Sequence, residues 1–215
     1  ETELRQYAQS KGLSEPICDT LVLKIIHNYR WVDIQKARKY SKDGIRYHKE
    51  QIIEKLEVVW LGGNSFLSHQ NREINFYQDI DGVRTVFDSK VKLTVIPCRN
   101  VASHLTTTKY ELEHYIGNTE IGRYLIDTMI NCKKGYYKEE KDSYGTSKTI
   151  WDLSAIAYLI NEDWFVKEYI SCPNILNDGR YEMTKDKHEI IFINDLSRNK
   201  IFNDFFVKMK GENND

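Results

Sequence analysis

Apolar positions first recur at helical spacing in Glu15–Asn28, where Ile17, Leu21, Ile25 and Asn28 fall on one face. Ser14 supplies an N-cap and Pro16 occupies the first turn, so this stretch predicts a helix. From Asp33 to Glu50 the periodicity fades, and Lys36, Arg38, Lys39, Lys42, Arg46 and Lys49 gather around Tyr40 and Tyr47. That mixture reads as a solvated surface segment, with contact to RNA or another protein as the alternative. The pattern changes again at Ile52–Leu61, which runs from a helix end into Leu56-Glu57-Val58-Val59-Trp60-Leu61 and stops at Gly62-Gly63. A short β-branched run halted by glycines predicts a buried strand and a turn. A helix over Asp79–Ser89, capped by Asp79 and turning Val83, Val86 and Phe87 inward, leads to a strand at Lys92–Ile96 ended by Pro97. Strand, helix and strand at these lengths predict a parallel crossover.

The remaining chain continues the alternation. Thr108 and Glu111 stand in a capping-box relation, a first helix stops near Gly117, and a second runs from Thr119 to Lys134. Its stripe of Ile121, Tyr124, Leu125, Thr128 and Met129 is expected to pack in the core. Lys138–Lys148 is polar and contains Gly145, which predicts a loop. Asp152–Ile160 predicts a helix, Phe165–Ser171 and Glu189–Ile193 predict strands, and Arg198–Lys210 predicts a closing amphipathic helix ended by Gly211. There is no internal repeat. The pattern predicts a three-layer α/β domain with a mainly parallel sheet, residues 1–50 forming a helical lead-in and residues 51–215 the α/β body.

Composition narrows the partners more than the fold. The 215 residues are 40% hydrophobic and 29% charged, enough for one packed domain, and their net charge of -1 gives no basic field for binding nucleic acid. No apolar run approaches the roughly 20 residues needed to span a bilayer. Glu1–Arg5 is neither a signal peptide nor a Met-initiated start, so a fragment of a longer chain is expected. Cys18, Cys98, Cys132 and Cys172 are far apart and predict buried thiols in a cytoplasmic protein rather than a zinc ribbon or disulfide framework.

Two loops carry the candidate chemistry, because each sets polar groups beside a strongly apolar element, where open α/β sheets place their sites. The first runs from Gly62-Gly63-Asn64 to Arg72-Glu73-Ile74-Asn75-Phe76 and on to Asp79. Its glycines allow close backbone approach, while Glu73 and Asn75 are suited to neighbouring sugar hydroxyls. The second is Thr149-Ile150-Trp151-Asp152-Leu153-Ser154-Ala155-Ile156-Ala157. Asp152 there is either a helix cap or a hard oxygen ligand for calcium. His69 in the first loop and His104 after the Pro97 strand are possible proton donors, although a lone histidine is more often structural. No glycine-rich phosphate loop, Ser-His-Asp order or metal-spaced histidine pair is visible.

Both loops, in this order and at about this separation, resemble the inosine/uridine-preferring nucleoside hydrolase family. Val58-Val59-Trp60-Leu61-Gly62-Gly63 looks like its strand and double glycine. Arg72-Glu73-Ile74-Asn75-Phe76 with Asp79 is similar to its Glu-Phe-Asn segment and following aspartate, Val95-Ile96-Pro97 to its next strand, and Trp151–Ala157 to its His-Asp-Pro segment and helix. The likeness runs from about Gln51 to Lys210. It implies hydrolysis of a nucleoside's N-glycosidic bond to base and ribose, in nucleoside salvage, with bound calcium holding the 2′ and 3′ hydroxyls and the attacking water. By the same resemblance Asp152 is a calcium ligand, Glu73, Asn75 and Asn64 bind ribose, Trp151 meets the base, and the enzyme is a dimer or tetramer.

The sequence departs from the family in three places. Its aspartate cluster, with the general base, is expected upstream of Glu1, so the first strands are expected to be missing. Its Thr-Asn segment has no counterpart in Asp33–Glu50, and Trp151 stands where many members have a histidine. Tryptophan can stack on a base but has no titratable proton. A ribose- or nucleoside-binding protein without catalysis is therefore the rival reading.

Overall fold

In a computed structural model the described residues are 2–10, 12–18, 50–66, 73–131 and 147–211. They divide into two units, Glu1–Val58 with Thr85–Leu93, and Val59–Arg84 with Thr94–Asp215. In the first, helix α1 (Thr2–Ser10) ends at Gly12, whose φ of 75° lets its N–H reach the Gln9 carbonyl while Leu13 N–H reaches Ala8. The chain turns back, and Leu13, Ile17 and Cys18 bury against Ala8 and Ile52. Arg5 Nη1 pairs with Glu15 Oε1 at 3.2 Å on the surface of this cluster. Residues 15–18 are helical, as the spacing predicts; Leu21, Ile25 and Asn28, and the basic segment at 33–49, lie outside the described residues.

The central sheet has the order β1 (Glu57–Leu61), β2 (Lys92–Ile96), β8 (Glu189–Leu196), β5 (Phe165–Ser171). Leu93, Thr94, Val95 and Ile96 are all buried, as are Ile190 to Ile193. A strand covered on both faces needs a continuous apolar run rather than alternation, which is why these two take inner places. β2 and β8 are parallel, Asn64 and Arg99 form a parallel bridge just beyond β1 and β2, and β5 runs antiparallel to β8 at the edge. The fold is thus mixed α/β with a mainly parallel sheet. α2 (Ile74–Tyr77) and α3 (Ile80–Asp88) lie between β1 and β2 in the chain. Strand β8 continues three residues past the predicted Ile193 because Asp195 and Leu196 pair with Val166 and Phe165.

The second unit's core joins Leu61, Ile96, Ile191 and Ile193 of the sheet to side chains from four helices, α4 (Lys109–Ile116), α5 (Glu120–Asn131), α6 (Leu153–Ile160) and α7 (Arg198–Met209). Thr108 caps α4 by accepting from Glu111 N–H at 3.1 Å. The Glu111 carboxylate accepts instead from Thr107 Oγ1 at 2.7 Å and Arg198 Nη2 at 2.5 Å, so half of the predicted capping box is spent on anchoring α7. Strand β3 (Thr106–Thr108) pairs with β4 (Ser147–Thr149), taking Ser147 and Lys148 out of the predicted polar loop; Lys138 to residue 146 lies outside the described residues, as does Cys132. Two short strands, β6 (Asn174–Ile175) and β7 (Tyr181–Glu182), form a separate hairpin. Among the described residues no helix is long and apolar enough to cross a membrane.

One sequence expectation is corrected. The buried face of α5 is Gly122, Ile126 and Met129, with Leu125 and Ile130 beside it, while Ile121 and Tyr124 are exposed at 54% and 67%. Thr128 is also exposed. The helix is rotated by one residue from the predicted stripe because Gly122 lies against the Ile116 backbone carbonyl, a place where any Cβ would clash. Glycine carries no apolar side chain and gives no periodic signal. Gly122→Ala should therefore cost about 1–3 kcal/mol through overpacking. Ile121→Ala should stay within about 0.5 kcal/mol. Urea unfolding of both variants checks this, and equal losses would contradict the rotated face.

Candidate functional site

The first loop is shaped by glycine. Gly62 N–H donates to Ile96 O at 3.1 Å and Cys98 N–H to Gly63 O at 2.9 Å, holding the segments after β1 and β2 side by side. Gly63 has φ 69°, and a Cβ there would stand 2.5 Å from Tyr181 Oη and 3.1 Å from Phe76 Cδ2. Both the left-handed backbone and the close ring demand glycine. Beyond it Asn64 is buried, its Oδ1 accepting from Arg99 N–H at 3.4 Å. These segments leave the carboxyl ends of the strands, the ordinary place for a site in a parallel sheet.

Glu73 ties this turn to the next helix. It is the N-cap of α2, its Oε1 accepting from Asn75 N–H at 2.9 Å and its Oε2 from Phe76 N–H at 3.1 Å and Gly63 N–H at 2.9 Å. The Cys98 thiol hydrogen-bonds to the same carboxylate. A carboxylate offers about four lone-pair sites, so these contacts account for its acceptor capacity. Asn75 Nδ2 donates to Leu61 O at 3.2 Å, which fixes the amide plane. Burial, the Glu73 charge, that hydrogen bond and the Asp152 charge together push the Cys98 thiol well above the usual thiol range.

Asp152 occupies the N-cap position of α6 but is αR in conformation and makes no capping hydrogen bond. Its side chain is exposed. The cap reading is not realised, and the carboxylate remains available to solvent or a ligand. Trp151, just before it, is 39% exposed.

Within the second unit these two loops line one cleft of about 390 Å³. Glu73, Asn75, Trp151 and Asp152 share it with Leu61, Ile74, Cys98 and Arg99. Its volume lies within the roughly 300–1,000 Å³ of small-molecule pockets. Of the other residues singled out from sequence, Asn64 supports the cleft's backbone from beneath without lining it. His104 is exposed and is not among the residues lining the cleft, its Nδ1 3.5 Å from Asp195 Oδ1. His69 and Arg72 lie outside the described residues. Cys98 and Arg99 were not expected as lining residues. Their place directly after the predicted strand at Lys92–Ile96 was the available signal.

Calcium takes about six to eight oxygens at roughly 2.3–2.6 Å. Among the described residues no group of three His, Cys, Asp or Glu side chains comes together to hold a metal. Asp152 offers an uncommitted carboxylate, while Glu73 is occupied by backbone amides. The residues at hand therefore do not make a calcium shell.

A family model of the inosine-uridine preferring nucleoside hydrolases matches residues 46–203. The inosine-uridine preferring nucleoside hydrolase of Bacillus anthracis is structurally similar, at 16% identity and TM-score 0.54 over 77% of this chain and 55% of that one. A plant nucleoside hydrolase, PpNRh1, is similar at 13% identity and TM-score 0.53 over 71% of this chain and 51% of that one. The chain thus spans about half the length of these solved structures. No curated protein matches.

The Cys98 environment gives a chemical test. With its pKa raised above the unfolded value, the thiol contributes stability that is present at lower pH and is lost as pH rises past the ordinary thiol range. In the native protein at pH 8, Cys98 should resist iodoacetamide, and Cys98→Ala should flatten the alkaline fall in stability. Mass spectrometry and unfolding curves above pH 9 read this. Native alkylation as fast as in urea would contradict the assigned environment.

Proposed function

Because the chain belongs to the inosine-uridine preferring nucleoside hydrolase family, we propose that its cleft serves hydrolysis of the N-glycosidic bond of a nucleoside, releasing base and ribose. The observation that carries this reading is the meeting of the two polar loops, far apart in sequence, around one sugar-sized space. As the bond to nitrogen stretches, positive charge grows on the sugar, and the Asp152 carboxylate facing the cleft stabilises that charge more than the neutral substrate. Asn75, with its amide plane fixed on Leu61 O, presents its Oδ1 as acceptor to a ribose hydroxyl. Trp151 offers an indole face to the base. Glu73 acts by holding Gly63, Asn75 and Phe76 in place, and its own contact to ribose would have to share oxygens already engaged with amides.

Calcium remains part of the proposal through Asp152 alone. A single carboxylate does not repay the dehydration of the ion. The absence of a three-ligand cluster among the described residues favours a second reading, a ribose- or nucleoside-binding protein without catalysis.

Base release from a nucleoside panel, followed by chromatography, separates the two. The enzymatic reading expects free base from the protein and a fall in kcat/KM of about a hundredfold or more in Asp152→Ala. Asn75→Ala should raise KM for ribosides by about tenfold, the loss of a hydrogen bond to a sugar hydroxyl. Nucleoside binding without any base release would establish the binding protein instead, and turnover unchanged in both variants would reject the site.

A further inference from the structure

Arg99 stands apart from the other arginines among the described residues. Arg5, Arg84, Arg123, Arg180 and Arg198 each place the guanidinium on a protein oxygen. The Arg99 backbone is held on both sides, by its own N–H on Asn64 Oδ1 at 3.4 Å and by Asn100 Nδ2 on Ser65 Oγ at 2.9 Å. Arg99 lines the cleft, and its guanidinium makes no hydrogen bond or ion pair with any described residue. Asp152 lines the same cleft, and no ion pair joins the two. Opposite charges that share a small cleft without meeting leave room for a ligand between them, carrying hydroxyls toward one and an anion toward the other.

We propose that the cleft selects a ribosyl compound carrying a 5′-phosphate, a nucleoside 5′-monophosphate rather than an uncharged nucleoside, with the Arg99 guanidinium taking the phosphate. This rests on the sugar reading of the same cleft. The guanidinium fork matches two phosphate oxygens at once, and such charge-assisted pairs are about twice as strong as neutral ones. A pentose places its 5′ carbon away from the 2′ and 3′ hydroxyls, so a sugar presenting its diol to Asp152 and Asn75 extends its phosphate in another direction. A carboxylate on the base could engage the same guanidinium, and the test includes that source.

Calorimetry on the full chain would compare ribose, ribose 5-phosphate, adenosine, adenosine 5′-monophosphate and the riboside of nicotinic acid. Ribose 5-phosphate should bind about ten- to a hundredfold more tightly than ribose. The Arg99→Gln variant should lose that margin and Arg99→Lys should keep part of it, with unchanged melting temperatures showing that both are folded. Equal binding of ribose and its phosphate, or a phosphate preference that survives Arg99→Gln, overturns the proposal while leaving the nucleoside reading intact. A preference for the nicotinic acid riboside over adenosine 5′-monophosphate places the anion on the base and overturns it too. If neither ribose nor ribose 5-phosphate binds, the sugar reading itself fails.

Discussion

The candidate site depends on one carboxylate that stays inside the protein's own hydrogen-bond network. Glu73 accepts the N–H groups of Gly63, Asn75 and Phe76, thereby joining the glycine turn after β1 to the start of a four-residue helix. A helix that short has little intrinsic stability, since its nucleus fixes several dihedrals for very few hydrogen bonds. The charged cap supplies what the helix lacks, and hydrogen bonds to an ionised acceptor are each worth about 1.5–3 kcal/mol. Asn75 gains its defined position from this arrangement. Without the Glu73 tie neither its amide nor Ile74 would be held at the cleft edge.

The same network settles how charge is distributed in the cleft. Glu73 is surrounded by donors, and Cys98 beside it is held as the neutral thiol by burial and by the neighbouring negative charges. The uncommitted negative charge is then Asp152, set at the start of α6 without capping it. The amino end of a helix carries partial positive charge, so a carboxylate is favourably placed there even when no cap hydrogen bond forms. Arg99, in the same cleft, has a fixed backbone and a guanidinium that no described residue engages. Rigid supports with unspent side-chain chemistry are what distinguish a binding surface from ordinary polar exposure.

Much of this was legible in the sequence because it rests on local rules. The inner strand at Lys92–Ile96 and the edge strand at Phe165–Ser171 coincide with their predicted ranges, as do the Gly62-Gly63 turn and the Thr108 cap. Convergence of Glu73, Asn75, Trp151 and Asp152 on one cleft followed from the family resemblance, since no local pattern relates positions so far apart. What sequence reasoning missed is tertiary in origin. Gly122 turns α5 by one residue through contact with a carbonyl, and Glu111 leaves its capping box for Arg198, which lies 87 positions away. That Glu73 accepts from three backbone amides was not legible either, because a carboxylate in a loop gives no sign of which amides will face it.

These contacts also separate what holds a sugar from what cleaves it. Binding a pentose requires donors and acceptors at fixed places around a space of suitable volume, and in the proposed reading Asn75, Asp152 and Arg99, which line one cleft within one unit of the chain, supply them. Cleaving an N-glycosidic bond requires in addition a nucleophilic water, a group to take its proton and stabilisation of the departing base. Among the described residues no group of three His, Cys, Asp or Glu side chains comes together to hold a metal, and His104 Nδ1 lies 3.5 Å from Asp195 Oδ1. Binding and catalysis therefore make separable demands on this fold. In the proposed reading, the loops after β1 and β2 and before α6 answer the first of them, through Asn75, Arg99 and Asp152.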